Sequence, residues 1–140
     1  MCGIAGFVAS PTRQNSREGI ETIARAMDDS LAHRGPDGHD IWIDPDADVA
    51  LIHRRLAIVD LTPTGAQPML SANGRFVITY NGEVYNFREL RSELQALGYW
   101  FRSQTDSEVV LYALAEWGLK ALSSIPGTDK NPLPGLRCAW

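Results

Sequence analysis

The stretch RFVITYNGEVYNFRELRSEL, residues 75–94, changes hydrophobic period partway along, and that change decides the fold class. Its first part, Arg75 to Phe87, holds two runs rich in β-branched and aromatic residues on either side of Asn81-Gly82. An Asn-Gly pair between such runs predicts a β-hairpin, because both residues tolerate the positive φ of a tight two-residue turn. From Asn86 onward, Phe87, Leu90, Leu94 and Leu97 share one helical face. Asn86 and Glu89 have capping-box spacing, and Gly98 supplies a stop. Strand and helix therefore both occur, side by side.

The same alternation of kinds continues outward. Downstream, Thr105 and Glu108 form a second capping box that opens the helix SEVVLYALAEW, closed by Gly118. Upstream, IWI (41–43) and VALIHRRLAIVDL (49–61) read as strands, the second long enough to bend or change sheet in its middle, and TPTGAQP (62–68) is a turn-rich link. HRGPDGHD (33–40) is turn chemistry, with Gly35 before a proline and Pro36-Asp37-Gly38 presetting a tight turn. Ile20, Ile23, Ala24, Met27 and Leu31 recur at helical spacing, which predicts an amphipathic helix over 17–31. Cys2 to Ala9 reads as a buried strand bounded by Ser10-Pro11. No regular β-α-β order emerges, so the class is α+β.

Composition bounds the rest. A chain of 140 residues with 44% apolar and 21% charged residues fits one globular domain. The net charge of -4, with arginines spread along the chain, gives no basic patch for nucleic acid or an anionic membrane. The apolar run Gly3–Ala9 is too short for a signal sequence or a span, so the expected location is the cytoplasm. Cys2 and Cys138 lie at opposite ends, and the three histidines lack metal-ligand spacing, which leaves neither a disulfide framework nor a metal site.

Several residues carry chemistry on a local reading. Removal of Met1 would leave Cys2 with a thiol and a free α-amine on one carbon. That amine, of ordinary pKa about 7.7–8.0, can take the thiol proton. Cys2 is thus either a self-sufficient nucleophile or a small residue starting a strand. Asn81 and Gly82 are either an oxyanion hole, built from a side-chain amide and a backbone N–H, or a type I′ turn. An amino-acid substrate needs an arginine for its α-carboxylate and a carboxylate for its α-ammonium. Arg54, Arg55 and Asp106 offer these, alongside simpler roles as solvated charges or a helix-dipole partner. His33 and His53 read as structural.

Taken in order, MCGIAGF, HRGPDG, HRRLAIVDL, GAQPM, YNGEVYNFRELR and TDSEV resemble the N-terminal glutaminase domain of glutamine-dependent asparagine synthetases, which are class II amidotransferases of the N-terminal-nucleophile superfamily. The resemblance implies that Cys2 attacks the side-chain amide of L-glutamine, that Asn81 and Gly82 form the oxyanion hole, that Arg55 holds the substrate carboxylate, and that Glu83 and Asp106 bind near its α-ammonium. It implies a four-layer α-β-β-α sandwich, incomplete here on its C-terminal side. It also implies a C-terminal synthetase domain as partner, which uses ATP and magnesium, and a homodimer in the full-length enzymes. No Gly-rich phosphate cradle occurs in this chain, so no cofactor is assigned to it.

The resemblance runs to about Leu122. SSIPGTDKNPLPGLRCAW (123–140), with three prolines, two glycines and no apolar period, reads as an irregular tail translated out of frame behind a partial domain spanning 1–122. Lost strands would expose sheet edges, so the expectation is a chain that keeps every matched catalytic residue but has weak or no glutaminase activity. The alternatives are an inactive, glutamine-binding remnant and the glutaminase part of another class II amidotransferase.

Overall fold

A computed structural model describes residues 2–9, 16–56 and 63–121. They fall into two units: residues up to 56 with 66–68, and residues 63–65 with 69–121. The segment after 121 and the far half of the 49–61 run lie outside the described residues.

The first unit is a three-stranded antiparallel sheet with one helix. β1 (Gly3–Val8), β2 (Gly38–Asp44) and β3 (Val49–Arg55) lie in the order β1-β3-β2. The register sets Gly3 opposite Arg54 and Phe7 opposite Ala50 on one side, and Gly38 opposite Arg55 and Ile41 opposite Ile52 on the other. α1 (Arg17–Ser30) starts at Ser16, whose hydroxyl accepts the Gly19 N–H at 3.2 Å. Its Ile20 and Ala24 pack on Ala50 and Ile52, flanked by Ala5, Phe7, Met27, Ile41 and Ile43. Full burial of Ile20 and Ile52 contributes about 1.5–3 kcal/mol each. The predicted helix is present, but Ile23 is 50% exposed. The fully buried position one turn beyond Ala24 is Asp28.

Side chains alternate across a strand. Ala5, Phe7, Ala50 and Ile52 turn toward α1, so Ile4, Leu51, His53 and Arg55 turn the other way. The reading of Cys2–Ala9 as a buried strand is corrected here. Among the described residues β1 is an outer strand of the sheet, and Val8 is 74% exposed.

The second unit holds a short hairpin and two helices. β4 (Met69–Leu70) pairs antiparallel with β5 (Val77–Ile78). Between them Asn73-Gly74 makes the turn: Gly74 has φ 69° and its N–H reaches the Ser71 carbonyl at 2.9 Å. The Asn73 side-chain oxygen accepts from the Arg75 N–H and the Ser71 hydroxyl. The hairpin predicted about Asn81-Gly82 is therefore wrong. β5 pairs backward, no strand follows Gly82 among the described residues, and neither Asn81 nor Gly82 has positive φ.

α2 (Phe87–Ala96) and α3 (Asp106–Trp117) follow. Leu90 and Leu94 of α2 pack with Val84, Val109, Val110, Tyr112 and Ala113. Every residue from Ser107 to Ala113 is buried, as the uninterrupted apolar run requires of a helix covered all round. Tyr112 sits between Tyr99 and Phe101, with ring centroids 5.0 and 5.3 Å away. α2 begins at the predicted residue, but Asn86 makes no side-chain cap, so that capping box is absent. Leu97 is 56% exposed, outside the packed face. No helix among the described residues is long and apolar enough to cross a membrane.

Candidate functional site

The sequence-derived site residues divide between the two units, Cys2 and Arg55 in the first and Asn81, Gly82, Glu83 and Asp106 in the second.

In the first unit, Cys2 precedes β1, and its thiol lies against the backbone just beyond β3. Sγ donates to the Leu56 carbonyl at 3.6 Å and accepts the Leu56 N–H at 3.3 Å. Continuing the register by one residue places Cys2 opposite Arg55, and strand alternation puts both on the face away from α1. The structure thus brings together a thiol and a guanidinium-bearing residue from positions far apart in sequence.

What holds that corner is the HRGPDG segment. A Cβ on Gly35 would run into the carbonyl carbon of Arg54, so only glycine lets this turn lie on the β3 backbone. The Asp37 N–H donates to the Arg55 carbonyl at 3.0 Å, and Gly38 continues into β2 opposite Arg55. Arg54 turns to the α1 side. Its Nε and a terminal nitrogen each reach an Asp28 carboxylate oxygen at 2.6 Å, a bidentate clamp, and His39 Nδ1 lies 2.9 Å from the same carboxylate. The Arg pair is therefore resolved: Arg54 anchors the helix, and Arg55 faces the side of Cys2. The clamp was missed in the sequence, although a carboxylate four residues beyond Ala24 on an apolar helix face already demands a partner.

In the second unit, Asn81, Gly82 and Glu83 form an irregular segment, bent at Gly82, that leads to the buried Val84. The Tyr80 ring folds over Gly82, where a Cβ would lie 2.5 Å from the phenol oxygen. Gly82 is selected by space. Asp106, the first residue of α3, accepts the Val84 N–H at 2.9 Å through Oδ2, and this joins the Asn81–Glu83 segment to the helix start. Burial pushes the Asp106 carboxyl above its ordinary 3.8. The N–H groups of Val84, Ser107 and Asp106 itself oppose the rise, and the Glu83 charge adds to it.

The second capping box is half right. The Thr105 hydroxyl accepts the Glu108 N–H at 3.4 Å, but the Glu108 carboxylate reaches past Thr105 to the Arg102 and Ser103 backbone. His53 is buried at 1% exposure within β3, and His33 is exposed. No cluster of three or more metal-ligating side chains occurs among the described residues.

The Cys2 thiol has the chemistry of a nucleophile. The Asn81-Gly82 segment, without the positive φ of a tight hairpin turn, has an amide and an N–H of the kind that stabilises an oxyanion. Comparison with known proteins sets these groups in a context. A family model described as a glutamine amidotransferase domain matches residues 1–128. The asparagine synthetase [glutamine-hydrolyzing] 2 of Bacillus subtilis (strain 168) is 36% identical over 139 residues, covering 94% of this chain and 18% of that protein. Its asparagine synthetase 3 is 40% identical over 119 residues, covering 84% and 18%. The amidase chry2 of Gibberella zeae is 32% identical over 134 residues, covering 91% and 20%. The chain spans about a fifth of the length of these relatives.

Proposed function

The chain belongs to the glutamine amidotransferase domain family, and from that premise we propose that it carries the glutamine-splitting reaction of an asparagine synthetase-like enzyme. Cys2, with Met1 removed, is the nucleophile. Its sulfur bonds to the side-chain carbonyl carbon of L-glutamine while the α-amine takes the thiol proton. Collapse of the tetrahedral intermediate breaks the carbon–nitrogen bond, and that proton leaves with ammonia. Water then attacks the γ-glutamyl thioester, releasing glutamate and restoring the thiol.

Asn81 and Gly82 receive the oxyanion, through a side-chain amide and a backbone N–H respectively. Arg55 pairs with the substrate α-carboxylate, and Glu83 and Asp106 hold its α-ammonium. The sheet of the first unit, with α1 on one face and Cys2 and Arg55 on the other, is one α-β half of a four-layer N-terminal-nucleophile sandwich in this reading. The ammonia acceptor, ATP and magnesium belong to a synthetase domain outside this chain, and the complete enzyme is a homodimer.

The observation that carries the proposal is the placement of Cys2 and Arg55 at one corner and on one face of the sheet, within a family match that begins at residue 1. The test is ammonia release from L-glutamine, with hydroxylamine added to trap the thioester as γ-glutamyl hydroxamate. Slow release and trapping are expected, both abolished by Cys2→Ala. Release that survives Cys2→Ala overturns the mechanism. Alkylation of Cys2 that glutamine blocks, without any ammonia, identifies a glutamine-binding fragment instead.

A further inference from the structure

The segment 102–105, which precedes Asp106, is gripped by two opposite charges. The Glu108 carboxylate, in a residue 1% exposed, accepts the Arg102 N–H at 3.0 and 3.2 Å and the Ser103 N–H and hydroxyl at 2.7 Å each. Arg91 of α2 holds the peptide units that follow, donating to the Ser103 carbonyl at 2.8 Å and the Thr105 carbonyl at 3.4 Å. The Arg91 guanidinium lies 4.4 Å from the centre of the Phe101 ring. Between the two, the Ser103 hydroxyl touches Thr105 Oγ1 at 2.8 Å, and Thr105 caps α3.

A buried carboxylate is stable only where donors surround it, and Glu108 meets three of them on two consecutive residues. Such a group fixes backbone, not merely helix. Arg91 fixes the carbonyls of that backbone, so Ser103 has its N–H, hydroxyl and carbonyl all committed. The next residue after the clamp and its cap is Asp106, whose carboxylate holds the Val84 N–H and through it the end of the Asn81–Glu83 segment.

We propose that Glu108 and Arg91 are positioning residues that set the Asp106 carboxylate, and with it the Asn81–Glu83 segment, for recognition of the amino-acid end of glutamine. This rests on the functional reading above. Neither side chain touches substrate in it. They act through the 102–105 backbone, so their loss weakens substrate binding and leaves the reactivity of Cys2 intact.

Two readouts keep this inference apart from that reading. The first needs no substrate: exchange of the Val84 amide hydrogen, compared with the Leu94 amide in the same unit. Glu108→Gln, which turns one acceptor into a donor, and Arg91→Met are expected to speed Val84 exchange about tenfold relative to Leu94. The second is kinetic, with KM for glutamine rising about tenfold and kcat staying within about threefold. General destabilisation would move Leu94 with Val84 and would lower kcat per total protein, with KM unchanged. Ser103→Ala removes a single hydroxyl and serves where the other variants fail to fold. It is expected to give about threefold changes in the same directions. Unchanged relative exchange at Val84 in folded variants overturns the clamp. If the chain hydrolyses no glutamine, the functional reading fails and Val84 exchange still decides the clamp.

Discussion

The second unit contains the dipeptide Asn-Gly twice, at 73–74 and at 81–82, and the two have opposite fates. Asn73-Gly74 is a turn. Its glycine takes φ 69° with nothing within 4 Å of a would-be Cβ, and the asparagine side chain is consumed by Ser71 and Arg75. Asn81-Gly82 has no positive φ, and its glycine is required because the Tyr80 ring occupies the place of a side chain. One glycine is chosen for its torsion angles and the other for its missing volume. The Asn73 side chain is committed to its own turn, which leaves Asn81-Gly82 as the pair to test as oxyanion donors.

The largest expected effect separates the asparagines. Asn81→Ala should lower kcat for glutamine hydrolysis about 10²–10³-fold, the usual cost of an oxyanion donor. Asn73→Ala should leave kcat unchanged and cost about 1 kcal/mol of stability in urea unfolding. Equal kinetic effects would end the distinction. A second pair tests the glycines. Gly82→Ala should displace Tyr80, costing about 1–3 kcal/mol by overpacking and most of the activity. Gly74→Ala should cost about 1 kcal/mol through its left-handed backbone and leave activity intact.

The smallest effect concerns pH and acts on the 81–82 segment alone, through Asp106. Its proton is bound more tightly in the folded chain than in the unfolded one. The group therefore favours the fold below its ordinary 3.8, and that contribution is lost as pH rises through the raised value. On the proposed assignment glutamine binding runs the other way, because only the carboxylate pairs with an ammonium. KM should fall as pH climbs through the raised value of Asp106. Asp106→Asn should flatten that limb in a KM profile against pH.

Regular elements with strong periodicity were legible in the sequence. α1, α2 and α3 lie where apolar spacing puts them, and Gly98 and Gly118 follow the two later helices, whereas β2 starts at Gly38, inside the stretch 33–40 read as turn, and β3 is described only over Val49–Arg55 of the 49–61 run. The hairpin was misplaced because the β-branched flanks of Asn81-Gly82 outweighed those of Asn73-Gly74, whose strands are two residues each. The flank after Gly82 instead buries Val84 against α2 and α3, so tertiary packing overrode the local preference. The local pattern did not separate Arg55 from Arg54; the resemblance named Arg55, and strand parity puts it on the face away from Arg54. The roles of Asp28 and Glu108 lay in the third dimension, though each announced itself as an acid placed among apolar helix positions.

The pairing of β1 with β3 also sets an order in time. β1 is made first, and its only ladder partner among the described residues ends at Arg55. At about 5–20 residues per second of synthesis, β1 waits roughly 2–10 s for that partner to emerge. The main-chain groups that β1 commits to β3 are open to water until then. On the proposed reading, in which Cys2 acts with Met1 removed, that interval is when trimming would occur, and a variant that paired β1 early would be trimmed less completely, as intact-mass measurement of the product would register.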